Sequence, residues 1–240
     1  ADEYINKIER FGHWKDTALM LEGPAVDTFL VLFLQMWTYS HELLDVTSYM
    51  VEHEGFDTPG FVVPYGDNPL DKDKVGENVY IDILNHARDF VHIMTPYLIL
   101  DGELLHALKF AAERGVDVSI IMPGIPDKKS VYYLAKTYYP TLLASGVKIY
   151  EYTPGFIHAK VFVSDNSRAV VGTINLDYRS LYHHFECATY LYRTSSVVGI
   201  EEDFQATMAK CHRVSMTDVK NRPFHQKCLG LLTRLVAPLM

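Results

Sequence analysis

The chain has 240 residues, of which 48% are hydrophobic and 12% aromatic, so it can bury a sizeable core and is not typical of a disordered protein. Its formal net charge is −8 and no long basic run occurs, which argues against a general nucleic-acid binder but leaves room for a locally cationic cleft. The three cysteines form neither a disulfide framework nor a zinc pattern, which favours a reducing compartment.

The N-terminal quarter predicts one strand, one helix and a linker. Alternating apolar residues predict a strand over 15–22, and Gly23-Pro24 then opens a helix. Residues 41–57 are polar and weakly patterned, as expected of a linker, and 58–71 reads as a loop around a short extended piece. The apolar positions of the helix follow helical spacing and predict a stripe that faces the core: Val26, Phe29, Leu30, Phe33, Leu34 and Trp37.

From residue 76 onward, helices and strands alternate. Helices are predicted over 76–88, 103–114 (ending at Gly115), 130–144, 196–212 and 222–235. Strands are predicted over 90–95, 116–122, 147–152, 157–164, 168–171 and 185–192. Alternating units followed by clustered strands indicate an α/β fold class, in which a mixed β-sheet is sandwiched between helices.

The chemistry is concentrated in 157–175. On an extended strand, side chains two positions apart share a face, so the predicted strand presents His158 and Lys160 together at one edge. Lys160 would supply a point charge to phosphoryl oxygens, and Asn175 and the N–H groups near Gly172 would supply directed donors. His158 would attack phosphorus or carry a proton near neutrality. This stretch therefore predicts a site for a phosphoryl group.

The full spacing is His-x-Lys-x4-Asp-x6-Gly-(Gly/Ser/Thr)-x-Asn, formed by His158, Lys160, Asp165, Gly172, Thr173 and Asn175. This pattern resembles the signature of the phospholipase D superfamily. Most of the remaining chain resembles the C-terminal portion of bacterial cardiolipin synthases. The stretches that carry this resemblance are F-G-H-W-K-D-T-A-L-M-L-E-G-P-A-V, T-P-Y-L-I-L-D, A-A-E-R-G-V-D-V, G-V-K-I-Y-E-Y-T-P-G-F-I-H-A-K and N-L-D-Y-R-S.

The resemblance implies a domain organisation. Members carry two signatures, one in each phospholipase D-like α/β/α half, and the two meet at one active site. This chain has one signature and begins without Met, so we expect a piece of a longer protein. Residues 1–55 would be the tail of the first half plus a linker, and 56–240 the second catalytic domain. Either the missing first half-domain or a homodimer would complete the site.

The resemblance also implies an activity. It is that of a phosphatidyltransferase, which condenses two phosphatidylglycerol molecules into cardiolipin and glycerol through a phosphohistidine, without metal or cofactor. We expect the full-length protein at the bacterial cell membrane, this fragment soluble, and nucleic acid an unlikely partner. Two alternatives remain: a phospholipase D-type phosphodiesterase acting on phospholipid or nucleic acid, and an isolated inactive half-domain.

The resemblance further implies roles for single residues. Those expected to be catalytic are His158, Lys160, Asp165, Asn175 and Glu186, and those expected to bind substrate are Lys160, Gly172, Thr173 and Asn175. Glu186 would orient the His158 imidazole, and Asp16 would serve the absent first-half histidine. Whether His158 is the nucleophile or the general acid stays open, and Asp165 is expected to hold its turn rather than to touch phosphate. The segment 229–240 is interpreted as docking on the domain, with an interfacial amphipathic helix as the alternative.

Overall fold

The computed structural model describes residues 1–39, 44–53, 55 and 57–239. Its helices are α1 (Ala25–Thr38), α2 (Val75–His86), α3 (Gly102–Glu113), α4 (Lys129–Ala135), α5 (Tyr139–Ala144), α6 (Ser196–Met208), α7 (Met216–Asn221) and α8 (Phe224–Arg234). Its strands are β1 (His13–Lys15), β2 (Phe61–Asp67), β3 (Phe90–Met94), β4 (Asp117–Pro123), β5 (Lys148–Tyr152), β6 (Gly155–Ile157), β7 (Val161–Ser164), β8 (Arg168–Gly172), β9 (Glu186–Tyr192) and β10 (Cys211–Arg213).

Eight strands form one mixed sheet in the order β10-β5-β4-β3-β7-β8-β9-β2. The central strands β3, β4 and β5 are parallel, whereas β7, β8, β9, β2 and β10 join by antiparallel pairing. A separate two-stranded sheet pairs β1 with β6 in parallel. This small sheet attaches the N-terminal segment to the stretch that leads into β7.

The sheet separates two apolar layers, as side chains alternate between its faces. On one face, Ile120, Ile149, Phe162 and Val170 pack with residues of α2 to α5. On the other face, Ile121 and Val163 pack with residues of α6, including Phe204. Helices therefore cover both faces, and the predicted α/β class with a mixed sheet sandwiched between helices is confirmed.

The predicted core-facing stripe of α1 is wrong. Only Leu34 of this helix is buried, whereas Val26, Phe33 and Trp37 are exposed. The helix lies against β2, the edge strand, instead of on a face of the sheet, so one side of it meets protein. Helical spacing indicates an apolar side but not what covers it.

Other element boundaries also differ. The predicted strand over 15–22 is instead β1, with no regular structure over 16–22, and the predicted helix over 130–144 divides where Pro140 starts α5. The helix predicted over 196–212 ends at Met208 and is followed by β10, which adds to the open edge of β5. The helix predicted over 222–235 is α8, which begins at Phe224, directly after Pro223. Within the described residues, no helix is long and apolar enough to cross a membrane.

Candidate active site

His158 and Lys160 lie in the link between β6 and β7, so the prediction of one continuous strand over 157–164 is wrong. The N–H groups of His158 and Ala159 both donate to the Lys15 carbonyl oxygen, at 2.8 and 3.2 Å, and this draws the backbone out of the main sheet. The link ends at Val161, which pairs with Met94 at the carboxyl end of β3. His158 and Lys160 therefore lie at the carboxyl edge of the parallel strands, where ligands commonly bind in α/β sheets.

The His158 ring is held by a carboxylate and an indole. Its Nδ1 lies 3.0 Å from Asp16 Oδ2, and its ring centroid lies 4.8 Å from that of Trp14. The Trp14 Nε1–H donates to the same Asp16 oxygen at 3.3 Å, so the indole fixes both members of the pair. With Nδ1 engaged by a carboxylate, Nε2 is the nitrogen left for chemistry.

The electrostatics of Asp16 favour its ionised form. Partial burial pushes the pKa of Asp16 upward, but hydrogen bonds from His158 and Trp14 and the charges of His158 and Lys160 hold it below its ordinary value. An ionised carboxylate on Nδ1 fixes the ring tautomer and stabilises an imidazolium when one forms. Asp16 thus equips His158 for proton transfer or for nucleophilic attack.

Lys160 is a buried cation beside this pair. It is 8% exposed, and its ammonium donates to the His158 carbonyl oxygen at 2.5 Å. Burial lowers the pKa of Lys160 to about 8, against the opposing attraction of Asp16, Glu186 and Asp177. A partly desolvated ammonium among carboxylates is well suited to receive an anionic ligand.

Asp165 lies at the opposite end of β7 from Lys160. Its carboxylate accepts the backbone N–H groups of Arg88, Asp89 and Phe90 at 2.9–3.0 Å. It therefore joins the β7–β8 turn to the start of β3. The structure places this predicted site residue in a structural position, away from the His158 imidazole.

Gly172 and Thr173 follow the end of β8. The Gly172 N–H lies 3.3 Å from the Lys160 carbonyl oxygen, and a Cβ at Gly172 would lie 2.4 Å from both Ala188 Cβ and the Cys187 carbonyl oxygen. A glycine is therefore needed here for close approach of β8 and β9. The Thr173 hydroxyl donates to Glu186, and its N–H donates to the Cys187 carbonyl oxygen at 2.9 Å.

Asn175 lies after β8 and is bonded within the chain. Its Nδ2 donates to Ser180 Oγ at 2.9 Å, and its Oδ1 is buried without a hydrogen-bond partner among the described residues. Ser180 belongs to one turn of π-helix, Arg179–His183. The predicted amide donor is thus committed to the π-turn.

The predicted pairing of Glu186 with His158 is corrected by the structure, since Asp16 occupies that position. Glu186 contacts Thr173, and its Oε1 lies 3.6 Å from His184 Nδ1. Burial raises the pKa of Glu186, although hydrogen bonds from Thr173 and Ser180 and the charge of His184 oppose the shift. The upstream carboxylate, predicted to serve a histidine outside this chain, serves the histidine inside it.

A second carboxyl cluster, which the sequence did not predict, fixes the π-turn. The Tyr182 hydroxyl lies 2.5 Å from Asp101 Oδ2 and 3.0 Å from Glu77 Oε2, with Lys74 Nζ 3.4 Å from the latter atom. Glu77 is fully buried, and burial together with Asp101 raises its pKa to about 7. These contacts anchor the turn that carries Ser180 to the start of α2 and α3.

Two cavities meet at Thr173 and Cys187, beside the signature. One of about 400 Å³ lies beneath the N-terminal segment and is lined by Thr17, Leu19, Phe29, Gly172, Thr173 and Cys187, among others. The other, of about 590 Å³, lies beneath α1 and is more polar, since the apolar Leu32 and Met36 share its lining with the carboxyl groups of Asp67, Asp71 and Glu186, among others. Both volumes fall in the usual range for ligand sites. Apolar parts of a substrate could therefore lie next to the polar groups of the site.

Known proteins match this chain along its whole length. Residues 80–208 match the family described as "Cardiolipin synthase, PLD-like domain". An uncharacterized protein of Streptococcus mutans is 61% identical, and a cardiolipin synthase of Alkalihalophilus pseudofirmus is 36% identical; each match covers 100% of this chain. The chain covers 52% and 48% of these two relatives, so it spans about half of their length.

Solved structures agree on the fold. Nuc of Salmonella typhimurium, a phospholipase D family member, is 17% identical with a TM-score of 0.56, over 65% of this chain and 99% of that one. The phosphatidylserine synthase of Haemophilus influenzae Rd KW20 is 18% identical with a TM-score of 0.59, over 75% of this chain and 48% of that one. With its fold and more than half of its residues matched, this chain belongs to the family of cardiolipin synthase, phospholipase D-like domains.

Proposed function

We propose that this chain forms one half of a cardiolipin synthase-type phosphatidyltransferase, which condenses two phosphatidylglycerol molecules into cardiolipin and glycerol. The observation that carries the proposal is the His158–Asp16 pair, 3.0 Å apart, beside the buried Lys160 ammonium. An oriented imidazole and a fixed cation are what displacement at a phosphodiester requires. The cardiolipin synthase relatives support phosphatidylglycerol as the substrate.

The reaction divides into two displacements. In the first, a histidine Nε2 forms a bond to phosphorus while the bond from phosphorus to glycerol oxygen breaks, and a second histidine protonates the leaving glycerol. In the second, that histidine removes the proton from the hydroxyl of another phosphatidylglycerol, whose oxygen displaces the first histidine and gives cardiolipin. Lys160 holds the non-bridging oxygens, and Asp16 stabilises the charged state of His158 in whichever role it takes.

The second histidine comes from another signature, either upstream in the same polypeptide or in a second copy of the chain. Asp16 lies upstream of the signature and reaches across to His158. Each carboxylate would thus pair with the histidine of the other half, and Glu186 would hydrogen-bond to the histidine of the other signature. Its position beside Thr173, at the junction of the two cavities, supports this arrangement.

The smaller cavity, which is largely apolar, supports a lipid as substrate over nucleic acid. Leu19, Leu21, Val26 and Phe29 give it walls suited to acyl or glycerol carbon atoms. An apolar surrounding also excludes water, which an alcohol acceptor must outcompete for the phosphohistidine. The net charge of −8 further disfavours a polyanion as substrate.

The test uses the gene-encoded polypeptide that contains this chain, incubated with phosphatidylglycerol vesicles. We expect cardiolipin and glycerol, no product with His158→Ala, and a rate about 10²–10⁴-fold lower with Asp16→Asn. Asp27→Asn is a matched control. Asp27 Oδ1 lies 2.8 Å from His53 Nε2, and neither residue belongs to the signature, so this variant should keep full activity. Phosphatidic acid as the sole product would indicate the hydrolase, and unchanged activity of His158→Ala would refute the assignment.

The same assay on the 240-residue chain alone tests whether it is an isolated inactive half-domain. A turnover that rises with the square of chain concentration, together with a dimer in sedimentation, would identify a homodimer that completes the site. A monomer without turnover, alongside an active longer polypeptide, would identify this chain as a half-domain that needs its partner.

A further inference from the structure

Helix α8 carries an apolar face that the described part of the chain leaves uncovered. Phe224 and Leu235 are each 81% exposed, and Leu231 and Leu232 are 59% and 64% exposed. Phe224, Leu231 and Leu235 are spaced seven and four residues apart, so they lie on one side of the helix. The opposite side packs closely on α4, where a Cβ added at Gly230 would lie 2.5 Å from the Tyr133 carbonyl oxygen.

The same segment concentrates positive charge in an acidic protein. Residues 219–240 contain four Lys or Arg and no Asp or Glu, so residues 1–218 carry a net charge of −12. Lys227 Nζ donates to the Lys220 carbonyl oxygen at 2.7 Å, and the Arg234 guanidinium lies 4.5 Å from the Tyr138 ring centroid. Across residues 1–39, 44–53, 55 and 57–239, none of these three cations forms a salt bridge.

The end of α8 adjoins the candidate active site. After Arg234 the chain continues to Pro238, whose carbonyl oxygen lies 3.2 Å from His183 Nε2. His183 belongs to the π-turn that also carries Ser180, the partner of Asn175. This turn follows β8, which ends at the same edge of the sheet as the signature. The apolar face of α8 and the candidate site are therefore linked by the π-turn.

We propose that α8 docks this domain on the surface of a bilayer that contains anionic phospholipid. Phe224, Leu231 and Leu235 enter the interface between headgroups and acyl chains, and Lys220, Lys227 and Arg234 lie near the lipid phosphates. A helix with a strong apolar side, cationic flanks and low net hydrophobicity binds membranes in this way. A two-fold dimer through the same face would bring like charges together, so a second copy is the weaker occupant.

The experiment measures sedimentation of the 240-residue chain with vesicles of phosphatidylcholine, alone or mixed with phosphatidylglycerol. We expect binding to the mixed vesicles that weakens with salt. The variant Phe224→Ser/Leu235→Ser should bind at least about tenfold more weakly, and Lys227→Gln/Arg234→Gln should lose roughly fivefold for each cation. The control Leu70→Ser/Val198→Ser removes two exposed apolar side chains elsewhere and should bind as the original chain does.

Two further arms separate this surface from other sites. Lys160→Met removes the cation of the candidate active site and should leave vesicle binding unchanged, whatever the catalytic activity of the protein proves to be. Loss of binding with Lys160→Met alone would place lipid capture at the active site and overturn the proposal. Equal binding of Phe224→Ser/Leu235→Ser and the original chain, with both shown folded by circular dichroism, would also overturn it. So would a change confined to self-association in analytical ultracentrifugation.

Discussion

Replacing Lys160 by methionine is expected to stabilise the fold while removing the cation of the candidate site. The difference between an ordinary lysine pKa of 10.5 and the value of about 8 for Lys160 corresponds to about 3 kcal/mol near pH 7. Methionine fills a similar space without the charge, but the hydrogen bond to the His158 carbonyl oxygen is lost, which costs about 1 kcal/mol. The free energy of unfolding should therefore rise by about 2 kcal/mol.

The pH dependence identifies the cause. Between about pH 8 and pH 10.5, the unfolded chain binds more protons at Lys160 than the folded chain does, so the stability of the original protein rises with pH. The advantage of Lys160→Met, measured by urea unfolding, should be largest below about pH 8 and should become a loss of about 1 kcal/mol above pH 10.5, where only the missing hydrogen bond counts. Lys136→Met is the matched control. The Lys136 ammonium lies 2.9 Å from Glu151, so this variant removes an ion pair and should lower the stability of the protein. If Lys160→Met lowers stability equally at every pH, burial of the charge is not the reason for the shifted pKa.

Three other changes test the frame of the site by urea unfolding. Gly172→Ala should lower the free energy of unfolding by about 1–3 kcal/mol, because the new Cβ meets Ala188 and Cys187. Adding Ala188→Gly should restore only part of the loss. Full stability of the single variant would contradict the close approach of β8 and β9. Asp165→Ala should lose about 2–3 kcal/mol by leaving three backbone N–H groups without their acceptor, whereas Asp165→Asn should lose less. Because the pKa of Glu77 is raised from 4.5 to about 7, the free energy of unfolding should fall as pH rises from 4.5 to 7. Glu77→Gln should make this fall shallower. An unchanged slope would show that other groups cause the fall.

The alternation of β and α units in the sequence was enough to predict the mixed sheet and most of its strands. Ile120, Ile121 and Met122 are apolar at successive positions because β4 is buried on both faces, and this signal is local. What local pattern could not supply was the position of an element relative to the whole. The apolar side of α1 was visible, but its place against the edge strand was not.

The candidate site was predicted in its residues but not in all of its contacts. The spacing in the signature identified His158 and Lys160, and it rested on a resemblance, since an isolated imidazole and ammonium are common. The same resemblance indicated Glu186 as the partner of His158, because Glu186 matches the family carboxylate that orients the catalytic imidazole. The structure uses Asp16 instead, brought in by parallel pairing of β1 with β6 across 142 positions, together with Trp14. Long-range pairing of three-residue strands leaves too weak a pattern to be read from one sequence.

Because β1 pairs with β6, the residues that form the candidate active site extend further toward the N-terminus than the residues that match the family. The match begins at residue 80, and a boundary drawn at the linker would begin near 56, yet the carboxylate that holds the imidazole is residue 16. A shorter protein that starts near 56 would keep all eight strands, whereas one that starts at 80 would also lose β2, and both would lose the carboxylate that holds the His158 ring. Anyone trimming this domain for expression, or exchanging halves between relatives, should carry 13–17 along with it.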